Sequence, residues 1–223
     1  MKANEAFDKV CGLIASNYSE RGWKYSKSSH WMTKKDKKYT YKVFFYTSWN
    51  NISDKNVVFY SEFAIINSNS KRKIFHLDTR QCNIPAGQLY WNLANEQQQH
   101  SALYECKKWL DETCIPIAEN CINNPDQFVK QVVAEGFYPL LGYIVDIDFV
   151  LNEGSRELAE EAAKRYYDHL KASVQKEFRD NYVSMMADED AVSAYGNNMM
   201  RNPSNFRTII ENKINIDFSY MNQ

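Results

Sequence analysis

Several patterns that identify an enzyme or a metalloprotein are missing from this sequence. It has no Gly-x-Ser-x-Gly nucleophile motif and no glycine-rich phosphate loop. Its five cysteines include no Cys-x-x-Cys pair, and their odd number argues against both a disulfide framework and a zinc ribbon. The sequence therefore predicts no metal and no cofactor, and it argues against an enzyme without excluding one.

No stretch of the chain is apolar over enough residues to cross a bilayer. The longest apolar run, from 137 to 151, is interrupted by Pro139, Gly142, Asp146 and Asp148. The N-terminus carries acidic residues and lacks the apolar segment of a secretory signal. With 44% hydrophobic residues the chain can bury a sizeable core. We therefore expect a folded, cytoplasmic protein that does not bind a membrane.

The net charge is only −1, but the charges are unevenly distributed. Residues 21–42 hold eight lysines and arginines against a single acid, Asp36. Residues 101–223 carry 12 basic and 20 acidic residues. The molecule is therefore expected to be dipolar, and its acidic half could dock a basic partner because complementary fields steer association.

The spacing of apolar residues predicts a helix, then strands, then further helices. A helix is predicted over 3–20, and the period changes to two over 39–49 and 57–66. Residues 39–49 are apolar on both faces, which indicates a strand inside the sheet. Weaker strands are predicted over 23–33 and 73–79. Helices are predicted over 101–119, 125–136, 155–182 and from Pro203 onward, and a late strand over 214–220.

This order of elements predicts an α+β fold. We expect an N-terminal helix, an antiparallel sheet of about four to five strands and a mainly helical C-terminal half. Residues 1–120 would form the sheet domain. Residues 121–223 would either pack on it as a helical extension or belong to the same domain.

The segment Gly22–Trp49 raises the main functional question. Its composition is typical of a surface that binds single-stranded nucleic acid, where lysines contact phosphates and aromatic rings stack on bases. The alternative is a solvated hairpin, because alternating residues of a strand face opposite sides and the rings would then enter the core. The sequence favours two strands with most aromatics buried and the lysines at an exposed turn. The candidate binding residues are Trp31, Lys34, Lys35, Lys37, Lys38 and Lys42.

A second candidate site is the alternating row His76, Asp78 and Arg80. On a strand these side chains would share one face, where they could bind a metal or orient a general base. A partly exposed ladder of ion pairs is the alternative. Asp146 and Asp148 would likewise share a face if their segment were a strand.

Three of the cysteines, Cys106, Cys114 and Cys121, are spaced close to whole helical turns. This spacing predicts that their thiols lie on one buried stripe of a helix. A metal site would need further ligands, and His100 does not stand at a usual ligand spacing from Cys106.

The first half of the chain contains a recognisable order of segments after its leading helix. They are Gly22-Trp23-Lys24, His30-Trp31, a lysine-rich turn, a long aromatic strand, His76-x-Asp78-x-Arg80, Tyr90-Trp91-Asn92-Leu93, and the helix 101–119 with Cys114-Ile115-Pro116. This order resembles a bacterial family catalogued as domain of unknown function 4304, over residues 3–120. The resemblance implies an α+β fold. It implies no established activity and no catalytic residue.

Two classes of function remain open from the sequence. The absence of a catalytic motif and the charge asymmetry favour a non-catalytic binding protein whose partner is foremost another protein. The resemblance to family 4304 implies a bacterial or phage protein, and analogy with small bacterial domains of this general shape implies an immunity-type or defence-type module. The alternative is a protein that binds nucleic acid, or an enzyme acting on nucleic acid or nucleotides. It would use the segment Gly22–Trp49 and the row of His76, Asp78 and Arg80.

Overall fold

The computed structural model describes residues 2–80, 90–138, 142–187 and 203–218. The chain divides into two compact units, residues 1–123 and residues 124–223. The expected α+β fold is confirmed, since a helix is followed by an antiparallel sheet and then by a mainly helical half.

The first unit contains three helices and six strands among its described residues. The helices are α1 (Ala3–Ser16), α2 (Glu96–Trp109) and α3 (Ile115–Asn123), with a π-helical turn (Leu110–Cys114) between the last two. The strands are β1 (Lys24–Ser26), β2 (Trp31–Lys35), β3 (Tyr39–Thr47), β4 (Val58–Asn67), β5 (Lys73–Asp78) and β6 (Trp91–Asn92). The strand order is β1-β2-β3-β4-β5 with antiparallel neighbours, and β6 pairs with β4.

The segment Gly22–Trp49 forms three strands, and the prediction of two was wrong. A turn at 27–30 divides the predicted strand 23–33 into β1 and β2, and His30 has a φ of 51° there. No glycine, the usual residue in the left-handed conformation, marks this turn. The predicted lysine-rich turn is also shorter than expected, because Lys34 and Lys35 belong to β2. Strand β3 lies inside the sheet, as its two apolar faces predicted.

Helices cover one face of this sheet. The side chains of Tyr41 and Phe63 on that face are fully buried, and the Phe7 ring of α1 lies 6.0 Å from the ring of Phe59. Burial raises the pKa of the Tyr41 hydroxyl, and Asp36 and the nearby Cys121 thiol of α3 raise it further. Each large apolar side chain buried here stabilises the fold by roughly 1.5–3 kcal/mol. The opposite face of the sheet carries partly exposed residues.

The helix predicted from Ser101 begins earlier, at Glu96. The Asn95 side chain caps it by accepting a hydrogen bond from the Gln98 amide at 2.9 Å. Further on, proline lacks an amide N–H and its ring collides with the carbonyl four residues earlier, so Pro116 would break a regular helix at that point. The wider π-helical turn just before Pro116 carries the chain from α2 into α3 without a break.

The second unit contains five helices and a two-stranded hairpin among its described residues. They are α4 (Pro125–Glu135), β7 (Phe137–Tyr138), β8 (Gly142–Tyr143), α5 (Ile147–Glu153), α6 (Arg156–Asp168), α7 (Ala172–Ala187) and α8 (Pro203–Glu211). Helices α4 and α8 begin at the two prolines that marked them in the sequence, where a missing amide N–H costs no hydrogen bond.

The single helix predicted over 155–182 is two helices, α6 and α7. Apolar residues repeat every four positions, and a helix has 3.6 residues per turn, so each step shifts the stripe by about 40°. No straight helix can bury all of them, and the chain breaks after Asp168. The Gln175 side chain donates to the Tyr167 carbonyl at 3.1 Å and so satisfies the exposed end of α6.

The predicted late strand is not formed over 214–218, and residues 219–220 lie outside the described residues. The alternation is nevertheless real, because Ile214 and Ile216 are buried while Asn215 is exposed. The Tyr182 hydroxyl donates to the Ile214 carbonyl and accepts from the Ile216 amide, both at 3.1 Å. A side chain therefore supplies the hydrogen bonds that a neighbouring strand would have given.

Candidate functional site

The sheet face opposite the helices, which we call the open face, is built from rows that run across the strands. One row places Trp31 of β2 beside Phe44 of β3 and Glu62 of β4. The next row places Thr33 of β2 between Lys24 of β1 and Lys42 of β3. Neighbouring strands are about 4.8 Å apart, so residues in one row are in direct contact range.

Aromatic rings form a continuous group on the open face. The rings of Phe44 and Tyr46 stack with centroids 6.0 Å apart, and Tyr46 stacks on Tyr60 at 5.1 Å. Trp31 meets the edge of Phe44 at 5.8 Å. These four side chains are half-buried, unlike the aromatic residues under the helices. The prediction that most aromatics of Gly22–Trp49 enter the core therefore holds only for the face that the helices cover.

Cations lie against the aromatic group. The Lys42 ammonium is 4.0 Å from the Trp31 ring centroid, and the Arg80 guanidinium is 4.1 Å from that of Tyr60. Lys73 approaches Phe44 at 5.4 Å and also pairs with Glu62. Each such contact contributes roughly 0.5–1 kcal/mol where it is exposed to water. The open face thus offers aromatic surface and positive charge together.

Two grooves border Trp31 on the open face. The first, which we call the basic groove, has a volume of about 520 Å³ and is lined by Gly22, Lys24, Tyr25, Ser26, Trp31, Thr33, Lys35 and Lys42. The second, of about 620 Å³, contains a contact between the His30 Nε2 and the Asp8 carboxylate at 2.8 Å. This contact ties the turn before β2 to helix α1. The Trp31 indole therefore separates a groove lined by lysines from a groove that contains a carboxylate.

The basic groove is electrostatically unbalanced. No carboxylate lines it, and in the described part of the chain neither Lys24, Lys35 nor Lys42 has an acidic partner. Burial lowers the pKa of Lys42, and the ammonium groups of Lys35 and Lys73 lower it further. An anion entering the groove would therefore relieve a repulsion that is present in the free protein.

The six binding residues predicted from sequence do not form one surface. Trp31, Lys35 and Lys42 meet on the open face. Lys34 lies opposite Tyr41, so it belongs to the other side of the sheet, while Lys37 and Lys38 are exposed in the turn. Sequence reasoning missed other members of the open face, namely Lys24, Thr33, Phe44, Tyr46 and Tyr60. Only Phe44 and Tyr46 share β3 with Lys42, so their in-phase spacing was a usable signal, whereas the other three depend on the register between strands.

The acid of the lysine-rich turn is fully engaged. The Asp36 carboxylate accepts hydrogen bonds from the amides of Lys38 and Tyr39, both at 2.7 Å, and from the Tyr41 hydroxyl. Asp36 therefore fixes the turn between β2 and β3.

The row of His76, Asp78 and Arg80 lies at the far edge of the open face. Both oxygens of Asp78 bind the Arg80 guanidinium, with the Nε contact at 3.0 Å, so this carboxylate is held by an ion pair. His76 lies opposite Ala64 of β4, and burial lowers its pKa. In the segments that the structure describes, no group of three His, Cys, Asp or Glu residues could hold a metal ion. The row therefore contains one ion pair, between Asp78 and Arg80.

The aspartates and cysteines singled out in the sequence occupy structural positions, at a helix cap and in the core. Asp146 and Asp148 do not share a strand face, because Asp146 caps α5 by accepting from the Asp148 amide at 3.1 Å. The thiols of Cys106, Cys114 and Cys121 are all buried along the helical segment from α2 to α3, as their spacing predicted.

Comparisons with known protein families, with curated proteins and with solved structures find no match to this chain. The resemblance to family 4304 therefore stays a prediction. Within the described residues, none of the helices has both the length and the apolar character that a bilayer crossing requires.

Proposed function

We propose that this protein is a non-catalytic binding protein that engages another macromolecule, and that this macromolecule is a single-stranded nucleic acid held on the open face. One observation carries the proposal. Three lysines without acidic partners, Lys24, Lys35 and Lys42, line one groove together with Trp31, next to a group of half-buried rings. Proteins that bind single strands without sequence preference combine these two features.

The chemistry of the open face matches that of an unpaired strand. Ammonium groups pair with phosphates, and the release of condensed counterions drives the association. Aromatic rings stack on unpaired bases, whereas a duplex keeps its bases stacked on one another. Lys42 covers Trp31 in the free protein, so an incoming base would displace this flexible ammonium group, which could then turn to a phosphate. The proposal therefore predicts a preference for single strands over duplex.

The acidic helical half offers less to a partner than its charge count suggested. Four of its acidic side chains form ion pairs with a lysine or arginine one helical turn away. They are Glu160, Glu161, Asp168 and Glu211. Each pair engages a carboxylate that would otherwise be available for direct contact with a basic partner, while the net negative charge of this half is unchanged. The open face, in contrast, carries unpaired positive charge, which favours nucleic acid over the protein partner that the sequence alone favoured.

A binding titration tests this proposal. Fluorescence anisotropy of an internally labelled single-stranded oligonucleotide, as DNA and as RNA, should rise with protein concentration, and the matching duplex should bind more weakly. If each of the three groove lysines neutralises one phosphate of a strand with hydroxyl ends, the slope of log K against log salt should be about −2, since each contact contributes roughly −0.7 for single strands.

Two outcomes would overturn the proposal. One is the absence of binding at low salt, and the other is equal affinity for strand and duplex. Recovery of a protein and no nucleic acid in a low-salt pull-down would support the protein partner instead.

A further inference from the structure

We infer that the basic groove is a binding site for a terminal phosphate, the phosphomonoester at the end of a nucleic-acid strand. This inference rests on the proposed function and adds to it a preference for phosphorylated ends. The same chemistry is present in a free nucleotide and in inorganic phosphate, so the test must separate these sources.

The register of the strands brings the lysines around one hydroxyl group. Lys24 and Lys42 lie directly opposite Thr33 on either side, so their Cα atoms are about 10 Å apart across three strands. Lys35 follows two residues after Thr33 on the same face. All three side chains line the groove, and the Thr33 hydroxyl has no hydrogen-bond partner among the described residues. Three ammonium groups and one hydroxyl donor therefore border a space large enough for a phosphate.

The charge of this groove suits a dianion better than a phosphate within a strand. A phosphodiester carries one negative charge, whereas a phosphomonoester carries about −1.5 to −2 near pH 7. The groove is lined by three lysines and no carboxylate, so the single negative charge of one diester would neutralise only part of its positive charge. The nearby Lys73 is committed to Glu62, so it does not add to this excess. A terminal phosphate would leave the smallest residual charge in the groove.

The position of the groove also fits the end of a strand lying on the open face. It borders Trp31, from which the aromatic group extends through Phe44 and Tyr46 to Tyr60. Strand β1 forms the edge of the sheet on the other side. A phosphate in the groove would therefore place the first base beside Trp31 and direct the following bases across the sheet.

The experiment compares oligonucleotides of one sequence with hydroxyl ends, a 5′-phosphate or a 3′-phosphate, each labelled internally. One phosphorylated form should bind about tenfold tighter than the hydroxyl form, the equivalent of one hydrogen bond to a charged group. Lys35→Gln should remove this advantage. Lys34→Gln is the matched control, because it makes the same charge change one residue away on the opposite side of the sheet, and it should keep the advantage.

A competition assay and a second variant distinguish a terminal-phosphate site from a site for free phosphate. A nucleoside monophosphate should compete with the phosphorylated strand at lower concentration than inorganic phosphate does. Equal competition by the two would mean a site for free phosphate and would overturn the inference. Thr33→Val, which preserves shape and removes the hydroxyl, should reduce the advantage. If all three oligonucleotides bind equally, the inference fails and the proposed function stands. If none binds, the proposed function fails with it.

Discussion

Replacing Trp31 by alanine should weaken nucleic-acid binding and also destabilise the fold, by free energies of similar size that separate assays can resolve. The indole is half-buried, meets Phe44 edge-on at 5.8 Å and lies under the Lys42 ammonium at 4.0 Å. The aromatic pair contributes about 0.5–1.5 kcal/mol and the cation–π contact about 0.5–1 kcal/mol, so unfolding should become easier by roughly 1–2.5 kcal/mol. Loss of one stacked base should cost about 1–3 kcal/mol of binding free energy, a 5- to 150-fold loss of affinity.

The control for this variant is Trp49→Ala. Trp49 is 92% exposed and lies beyond the end of β3, so its removal deletes the same ring from outside the open face. Anisotropy titrations give the affinity, and urea denaturation gives the free energy of unfolding. Unchanged affinity in Trp31→Ala, or an equal loss in Trp49→Ala, would refute the assignment of stacking to the open face.

Three other perturbations have defined outcomes. Lys42→Gln should lower the steepness of the salt dependence by about 0.7, the value for one lost phosphate contact, measured by titration at several salt concentrations. Asp36→Ala should destabilise the fold by about 2–4 kcal/mol because it removes three hydrogen bonds at once, whereas Tyr41→Phe, which removes one, should cost about 1 kcal/mol in the same urea assay. Alkaline pH should also destabilise the protein. Burial raises the pKa of Tyr46 to about 12 and raises those of Tyr18 and Tyr41 further, while the pKa of tyrosine in the unfolded chain is near 10. Tyrosine ionisation should therefore leave the urea midpoint unchanged below about pH 10. Above that pH the midpoint should fall, because the unfolded chain loses these protons first.

The order of elements was predictable from the sequence because the hydrophobic period changes once, from helical to alternating, and then changes back. Strand β3 could be placed inside the sheet from its two apolar faces. The division of residues 155–182 was not predicted, since a repeat of four residues resembles a helical pattern over any short window. The turn at His30 was missed because nothing in its composition marks a left-handed residue.

The candidate site was only partly predictable for a related reason. Alternation assigns Tyr41 and Phe45 to one face and Lys42 and Phe44 to the other, but it cannot say which face the helices cover. The sequence interpretation grouped the aromatics together as core residues. The pairing of β2 with β3 decides the matter, since it brings Trp31 beside Phe44 on the open face, and pairing registers depend on long-range contacts.

The most direct test of the account is photochemical cross-linking of the protein to a single-stranded oligonucleotide containing 5-iodouracil, followed by mass spectrometry of the adducts. If the open face binds the strand, adducts should form at Trp31, Phe44, Tyr46 or Tyr60, and excess unlabelled strand should abolish them. Adducts confined to residues 124–223, or to side chains on the helix-covered face such as Tyr39, would contradict the account.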